Sequence, residues 1–113
     1  VTDLDKIKAC ARAMGLRHWP HYRIKDCIEV SDDGTGRCAY IYNPLDDSAQ
    51  ADALEGWLLE RGRYTMYSNG FTFFPAYWAA AEFEFNADMT LAENRRRARV
   101  ECVAKMMEGE HGN

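Results

Sequence analysis

Asn43-Pro44-Leu45-Asp46-Asp47-Ser48-Ala49-Gln50-Ala51-Asp52-Ala53-Leu54-Glu55-Gly56-Trp57-Leu58-Leu59-Glu60-Arg61-Gly62 is the stretch on which the fold turns. Asn43 suits an N-cap and Pro44 the first helical position, where its missing N–H costs nothing. Asp46 and Asp47 then fall in the first turn, where the helix dipole favours negative charge. Leu45, Ala49, Ala53 and Trp57 recur every four residues, with Leu54 and Leu58 beside them. Arg61 and Gly62 supply the stop. A helix is therefore predicted between two segments of β character.

Upstream, Asp26 to Ser31 and Arg37 to Tyr42 are rich in β-branched and aromatic residues and flank the turn Asp32-Asp33-Gly34-Thr35-Gly36. They read as a hairpin with residue 38 opposite residue 30. Downstream, Arg63 to Ser68 and Phe71 to Phe74 surround Asn69-Gly70, a type I′ turn signal. Tyr77 to Phe85 resumes the pattern after Pro75. Leu4, Ile7, Ala11 and Met14 predict a first helix over residues 3–14, capped by Thr2 or Asp3 and stopped at Gly15. Residues 16–25 contain Pro20 and read as a loop. Thr90-Leu91-Ala92-Glu93 is a capping box opening a last helix to about Met107, with Leu91, Ala98, Cys102 and Met106 as its stripe and residues 108–113 as a frayed tail. The expectation is one α+β domain over residues 1–113. It has a mainly antiparallel sheet of about five strands packed with three helices, arranged like an α/β/α sandwich.

Tyr42-Asn43-Pro44-Leu45-Asp46-Asp47, the following Ala49 and Ala53, the glycine stop, the aromatic hairpin and the terminal helix resemble the phage ABA sandwich domain over roughly residues 40–107. That family comprises small, functionally uncharacterised proteins of phages and prophages. The resemblance implies a phage setting, hence the host cytoplasm, and brings no catalytic residues. The last helix is longer than the family pattern requires, and the first 25 residues have no clear counterpart in it.

The 113 residues carry 14 basic and 18 acidic side chains, a formal net charge of −4. That balance argues against bulk nucleic acid or an anionic membrane as a direct partner. No run approaches the roughly 18 apolar residues of a membrane helix. The acidic and polar start lacks the basic and apolar parts of a signal peptide.

Charge is unevenly spread. Residues 1–25 hold six basic groups and two acids. Residues 26–60 hold Arg37 against nine acids, Asp26, Glu29, Asp32, Asp33, Asp46, Asp47, Asp52, Glu55 and Glu60. Self-repulsion of this kind is not needed for folding, and it suits a basic partner surface. Asp32, Asp33, Asp46, Asp47, Asp52 and Glu55 are the candidate partner-binding residues, with Glu55 expected to face outward and Asp46, Asp47 and Asp52 on the flanks. The local alternative assigns Asp46 and Asp47 to the helix dipole and Asp32 and Asp33 to the turn.

Chemistry is sparsely represented. His18-x-x-His21 with Cys27 and Cys38 lacks the spacing of a zinc site, so no metal is expected. Cys10, Cys27, Cys38 and Cys102 read as reduced, mostly buried thiols. Arg95, Arg96, Arg97 and Arg99 read as a solvated helix face, in which Arg97 can pair with Glu93 and Glu101 at i±4. Glu82 and Glu84 have no convergent partner, and no nucleophile or phosphate-loop motif occurs. The reading is a non-enzymatic protein without cofactor: an accessory inhibitor that meets a host nucleic-acid-handling or defence protein, CRISPR-like complexes included, through an acidic surface. The aromatic residues of 64–85 offer another interface, and a homodimer is compatible with it. A small enzyme or binder acting on a nucleotide or signalling ligand is the alternative, and a virion assembly module a third.

Overall fold

The structure is a computed structural model whose backbone is described for residues 2–31, 39–67, 70–75 and 81–111. Three helices, α1 (Asp3–Ala13), α2 (Ser48–Leu59) and α3 (Leu91–His111), alternate with strands β1 (Arg17–Pro20), β2 (Ile28–Ser31), β3 (Tyr40–Tyr42), β4 (Gly62–Tyr67), β5 (Gly70–Pro75) and β6 (Ala81–Glu84). The α+β class is as expected. In place of one sheet of about five strands, the described strands form two three-stranded antiparallel meanders, β1-β2-β3 and β4-β5-β6.

Local signals account for α1. Thr2 Oγ1 accepts from Asp5 N–H at 3.2 Å, and Asp5 Oδ2 accepts from Thr2 N–H at 3.1 Å, a reciprocal cap. At the other end Gly15 adopts φ +72°, a conformation that side chains resist. Leu16 N–H reaches Ala11 O at 2.9 Å and Gly15 N–H reaches Arg12 O at 3.0 Å, the paired bonds of a Schellman stop. The chain reverses there into β1.

Residues 17–20 thus form a strand rather than a loop. Pro20 is tolerated because β1 lies at a sheet edge and Pro20 is its last residue, opposite Ile28. In the next hairpin Val30 lies opposite Tyr40, so the register is shifted by two residues from the expectation. Asp32 and Asp33 lie outside the described residues, as does Cys38. Tyr67 pairs with Gly70, so the loop of the third hairpin is residues 68–69, also outside the described residues, and Gly70 is already in the strand.

The second helix begins later than Pro44. Asn43 Oδ1 accepts from Leu45 N–H at 3.2 Å, and Asn43 O accepts from Asp46 and Asp47 N–H, closing a turn. Asp47 is the N-cap, its carboxylate accepting from Gln50 N–H at 3.0 Å. This delayed start changes the buried face. Ala51, Leu54, Trp57 and Leu58 are buried, whereas Ala49 and Ala53 of the expected stripe are exposed. Gln50 closes a neighbouring gap: its amide accepts from Asn43 N–H at 2.7 Å and donates to Ile41 O at 3.0 Å. Those are the two bonds a further strand would make at the open edge of β3.

The third helix opens on the expected capping box, Thr90 Oγ1 accepting from Glu93 N–H at 3.1 Å. It continues to His111, beyond the expected end at Met107. Leu91 is 52% exposed, and Asn94, Ala98, Val100, Cys102, Val103, Met106 and Met107 are buried. Buried positions run round much of α3 because it packs against both α1 and α2. The helices therefore meet one another rather than covering opposite faces of a single sheet. Ile28, Val30 and Tyr42 of the first sheet join Ile7, Cys10, Ala11, Leu54, Leu58, Val100 and Val103 in one core. The second sheet touches the helices through β4 on α2 and β6 on α3.

Two substitutions separate the observed face of α2 from the four-residue stripe. Ala51→Lys is expected to cost more than about 3 kcal/mol, because it drives a charge into the core. Ala53→Lys is expected to stay within about 0.5 kcal/mol of the parent. Urea unfolding of the two variants checks this, and equal losses would restore the stripe.

Candidate functional site

A cleft of about 510 Å³ opens where the helices begin. Thr2, Asp3, Leu4 and Ile7 line it from α1, Asn43, Leu45 and Asp46 from the turn before α2, Met89, Glu93 and Arg97 from the start of α3, and Asp26 from the approach to β2. Leu4, Ile7, Leu45 and Met89 give it an apolar lining; Asp3, Asp26, Asp46 and Glu93 place four carboxylates in it against one guanidinium.

The guanidinium is already engaged. Arg97 donates to Asp3 at 3.1 and 3.0 Å and lies 3.5 Å from Glu101, which in turn accepts from Lys6 at 2.7 Å. Arg97 makes the expected i+4 pair with Glu101, while Glu93 is used for the cap instead. The hydrogen bonds from Arg97 hold the Asp3 carboxyl below its usual range. Asp46 accepts from Asn43 Nδ2 at 3.1 Å and is exposed. Asp26 is exposed, adopts φ +57° and has no side-chain partner among the described residues. The cleft is therefore a site of excess negative charge with room for an aliphatic stem, suited to a lysine or arginine side chain.

The candidate acids separate into different roles. Asp46 lines the cleft, and Asp47 stands next to it as the cap of α2. Asp52 and Glu55 both turn toward Arg99, at 3.3 and 2.8 Å. Glu55 is not outward: its side chain is 29% exposed and that of Arg99 only 13%. With the buried face set by Ala51, Glu55 falls about 40° away on the helix wheel, on the flank that meets α3. Of the arginine cluster Arg95 is exposed as expected, whereas Arg96, Arg97 and Arg99 are half-buried and engaged rather than a solvated face. Arg96 donates to Leu45 O at 2.8 Å and to Ser48 Oγ at 3.3 Å, joining α3 to the approach to α2. Asp3, Asp26 and Glu93 were not singled out as site residues by the sequence. Two of them carry cap signatures, but their meeting in one cleft depends on contacts between distant segments.

The histidines take separate positions. His21 Nδ1 accepts from Arg23 and Ile24 N–H, both at 3.0 Å, and Nε2 faces Glu29 at 3.4 Å. Both nitrogens are thus occupied in shaping the β1–β2 connection. His18 lies on β1 opposite Val30, and Cys27 is half-buried just before β2. Among the described residues no three His, Cys, Asp or Glu side chains gather as metal ligands. Burial pushes the Cys10 and Cys102 thiols up to about 12, with the charge of Glu101 adding to the effect. Such thiols are poor nucleophiles at neutral pH. Among the described residues no helix is long and apolar enough to cross a membrane.

Two outcomes test this geometry. Glu55→Gln is expected to cost about 1–2 kcal/mol by stripping the half-buried Arg99 of its shorter ion pair, and Asp52→Asn less than about 0.5 kcal/mol. Urea titration distinguishes them, and equal small effects would return Glu55 to the solvent. For Asp3 the sign is fixed by its lowered value. The Arg97 pair contributes stability above the ordinary value of 3.8, and the contribution is lost as pH falls through the lowered one. In Arg97→Ala the Asp3 carboxyl should titrate upward toward 3.8, as NMR would read.

No family model matches the chain, and no curated protein or solved structure is similar to it at a significant level.

Proposed function

We propose that the protein acts by binding rather than by catalysis. In this reading it is a small phage- or prophage-type accessory protein that inhibits a host nucleic-acid-handling or defence protein by presenting carboxylates to its basic surface. The observation that carries the reading is the cleft at the helix starts, with four carboxylates against a guanidinium already paired to Asp3 and Glu101. A partner lysine or arginine would lay its stem on Leu4, Leu45 and Met89 and its charge between Asp26 and Asp46. Asp47, exposed beside Asp46, extends the negative field that would draw such a partner in. Asp32 and Asp33 belong to the same proposed surface by sequence. Asp52 and Glu55, engaged with Arg99, contribute to the field more than to contact. The phage setting, and with it the host cytoplasm, rests on the resemblance of residues 40–107.

Charge reversal at the two least engaged acids is the test. Asp26→Lys with Asp46→Lys is expected to leave the circular dichroism spectrum unchanged. It should slow association with a host target isolated by affinity capture at least tenfold at low salt, and less at high salt. Unchanged affinity at both ionic strengths would discard the cleft as the interface.

A further inference from the structure

Residues 21–27 join β1 to β2. His21 N–H donates to Cys27 O at 2.9 Å, so the loop opens and closes as a continuation of the β1–β2 ladder. Inside it, His21 Nδ1 accepts from the Arg23 and Ile24 N–H groups, both at 3.0 Å. The imidazole thus stands where an Asp or Asn oxygen stands in an Asx turn, with the difference that it can take up a proton.

A nitrogen that accepts two N–H groups carries no proton, so the proton of the neutral ring is on Nε2. That nitrogen faces Glu29 Oε1 at 3.4 Å, on the sheet face opposite the one that carries Ile28 and Val30 into the core. The two side chains are mostly shielded from water, 13% and 18% exposed. Among the described residues, the other charged or titratable groups around the ring are Tyr22, Arg23, Lys25, Asp26 and Cys27 of the same loop. The Tyr22 ring stacks on the imidazole at 5.2 Å, and the Arg23 guanidinium lies over that phenol. A second proton can enter the imidazole only at Nδ1, where it meets two N–H donors and turns both attractions into repulsions. At Nε2 the same positive charge strengthens the attraction to Glu29. The ring is therefore held to β2 while the turn at residues 21–24 is driven off it.

Asp26 is the residue to which that change is passed. It adopts φ +57°, a conformation that is costly without glycine and lasts only while its surroundings impose it. Cys27, held by the His21 N–H, bounds it on one side, and the turn at Arg23 and Ile24 bounds it on the other. Its carboxylate lines the acidic cleft. We propose that His21 is a proton-operated latch: a second proton on its ring opens the 21–24 turn, lets Asp26 relax to negative φ and withdraws its carboxylate from the cleft. The cleft then carries its full charge above the titration of His21 and loses the Asp26 contribution as pH falls through it. The consequence for a basic partner rests on the reading of the cleft given above; the latch itself does not.

The experiment is a pH titration of the isotope-labelled full chain by NMR, with no partner present. At neutral pH the His21 Nδ1 resonance should be that of an unprotonated nitrogen, coupled across the hydrogen bonds to the Arg23 and Ile24 amides. As the ring takes its second proton those couplings should vanish. Hydrogen-exchange protection of the two amides, relative to the intrinsic rate at each pH, should fall by roughly tenfold or more. The Asp26 amide should move with the His21 midpoint. His21→Asn, whose Oδ1 accepts the same bonds but does not titrate, should keep the parent's circular dichroism and protect both amides throughout. Because no partner is present, a failed latch leaves the charge-reversal test of the cleft standing, and a failed cleft leaves the latch. A neutral ring with its proton on Nδ1 would overturn the proposal. So would Arg23, Ile24 or Asp26 amides that ignore the His21 titration, and neither result needs the variant. A folded His21→Asn chain whose turn still opens in acid would overturn it as well.

Discussion

The rest of the structure depends on α3 lying between α1 and α2. A helix in the middle of three must bury side chains round most of its circumference. That is why Asn94, Ala98, Val100, Cys102, Val103, Met106 and Met107 are all buried. Its remaining flanks lie in the grooves beside its neighbours, where a charge is only partly hydrated and has to be paired. The arginines of 96–99 meet that demand. Arg97 reaches α1, Arg96 the turn before α2, and Arg99 the body of α2. Each bond links segments far apart in sequence, so the cluster fixes how the helices are set against one another.

The same arrangement generates the acidic cleft. Helix starts carry a partial positive charge and attract carboxylates as caps. Thr2 with Asp5, Asp47, and Thr90 with Glu93 are ordinary local solutions to that problem. Two of those caps, together with the Asn43–Asp47 turn and Asp26, border one cavity, so separate local requirements add to a shared field. Within residues 26–60, Asp47 is taken up by capping and Asp52 and Glu55 by Arg99, while Asp26 has no side-chain partner among the described residues and Asp46 meets Asn43.

What was legible in the sequence was local. The Gly15 stop and the Thr2 and Thr90 caps are decided within a few residues and stand where expected, whereas the hairpin before β6 forms with residues 68–69 as its loop, one position earlier than Asn69-Gly70. Pro20 misled because the rule against proline in a ladder does not apply at the end of an edge strand. Pro44 misled because its fit to a first helical position competes with the Asn43 turn, and Asp47 makes the stronger cap. The four-residue shift that followed moved Ala53 out to solvent and Glu55 into the groove. The arginine partners could not be read at all, since Asp3, Leu45 and Glu55 become neighbours of α3 only through tertiary packing.

The side chain of Gln50 has a consequence for chemical ageing. It bridges Ile41 O and Asn43 N–H, so one end must donate while the other accepts. Deamidation would replace the donor with a carboxylate oxygen pointed at a carbonyl, turning an attraction into repulsion. The edge of β3, with Tyr40 and Ile41 already exposed, would then be open to strands of other molecules. A single hydrolysed amide, leaving every apolar core residue in place, would thus uncover the β3 edge of the first sheet for pairing with another chain.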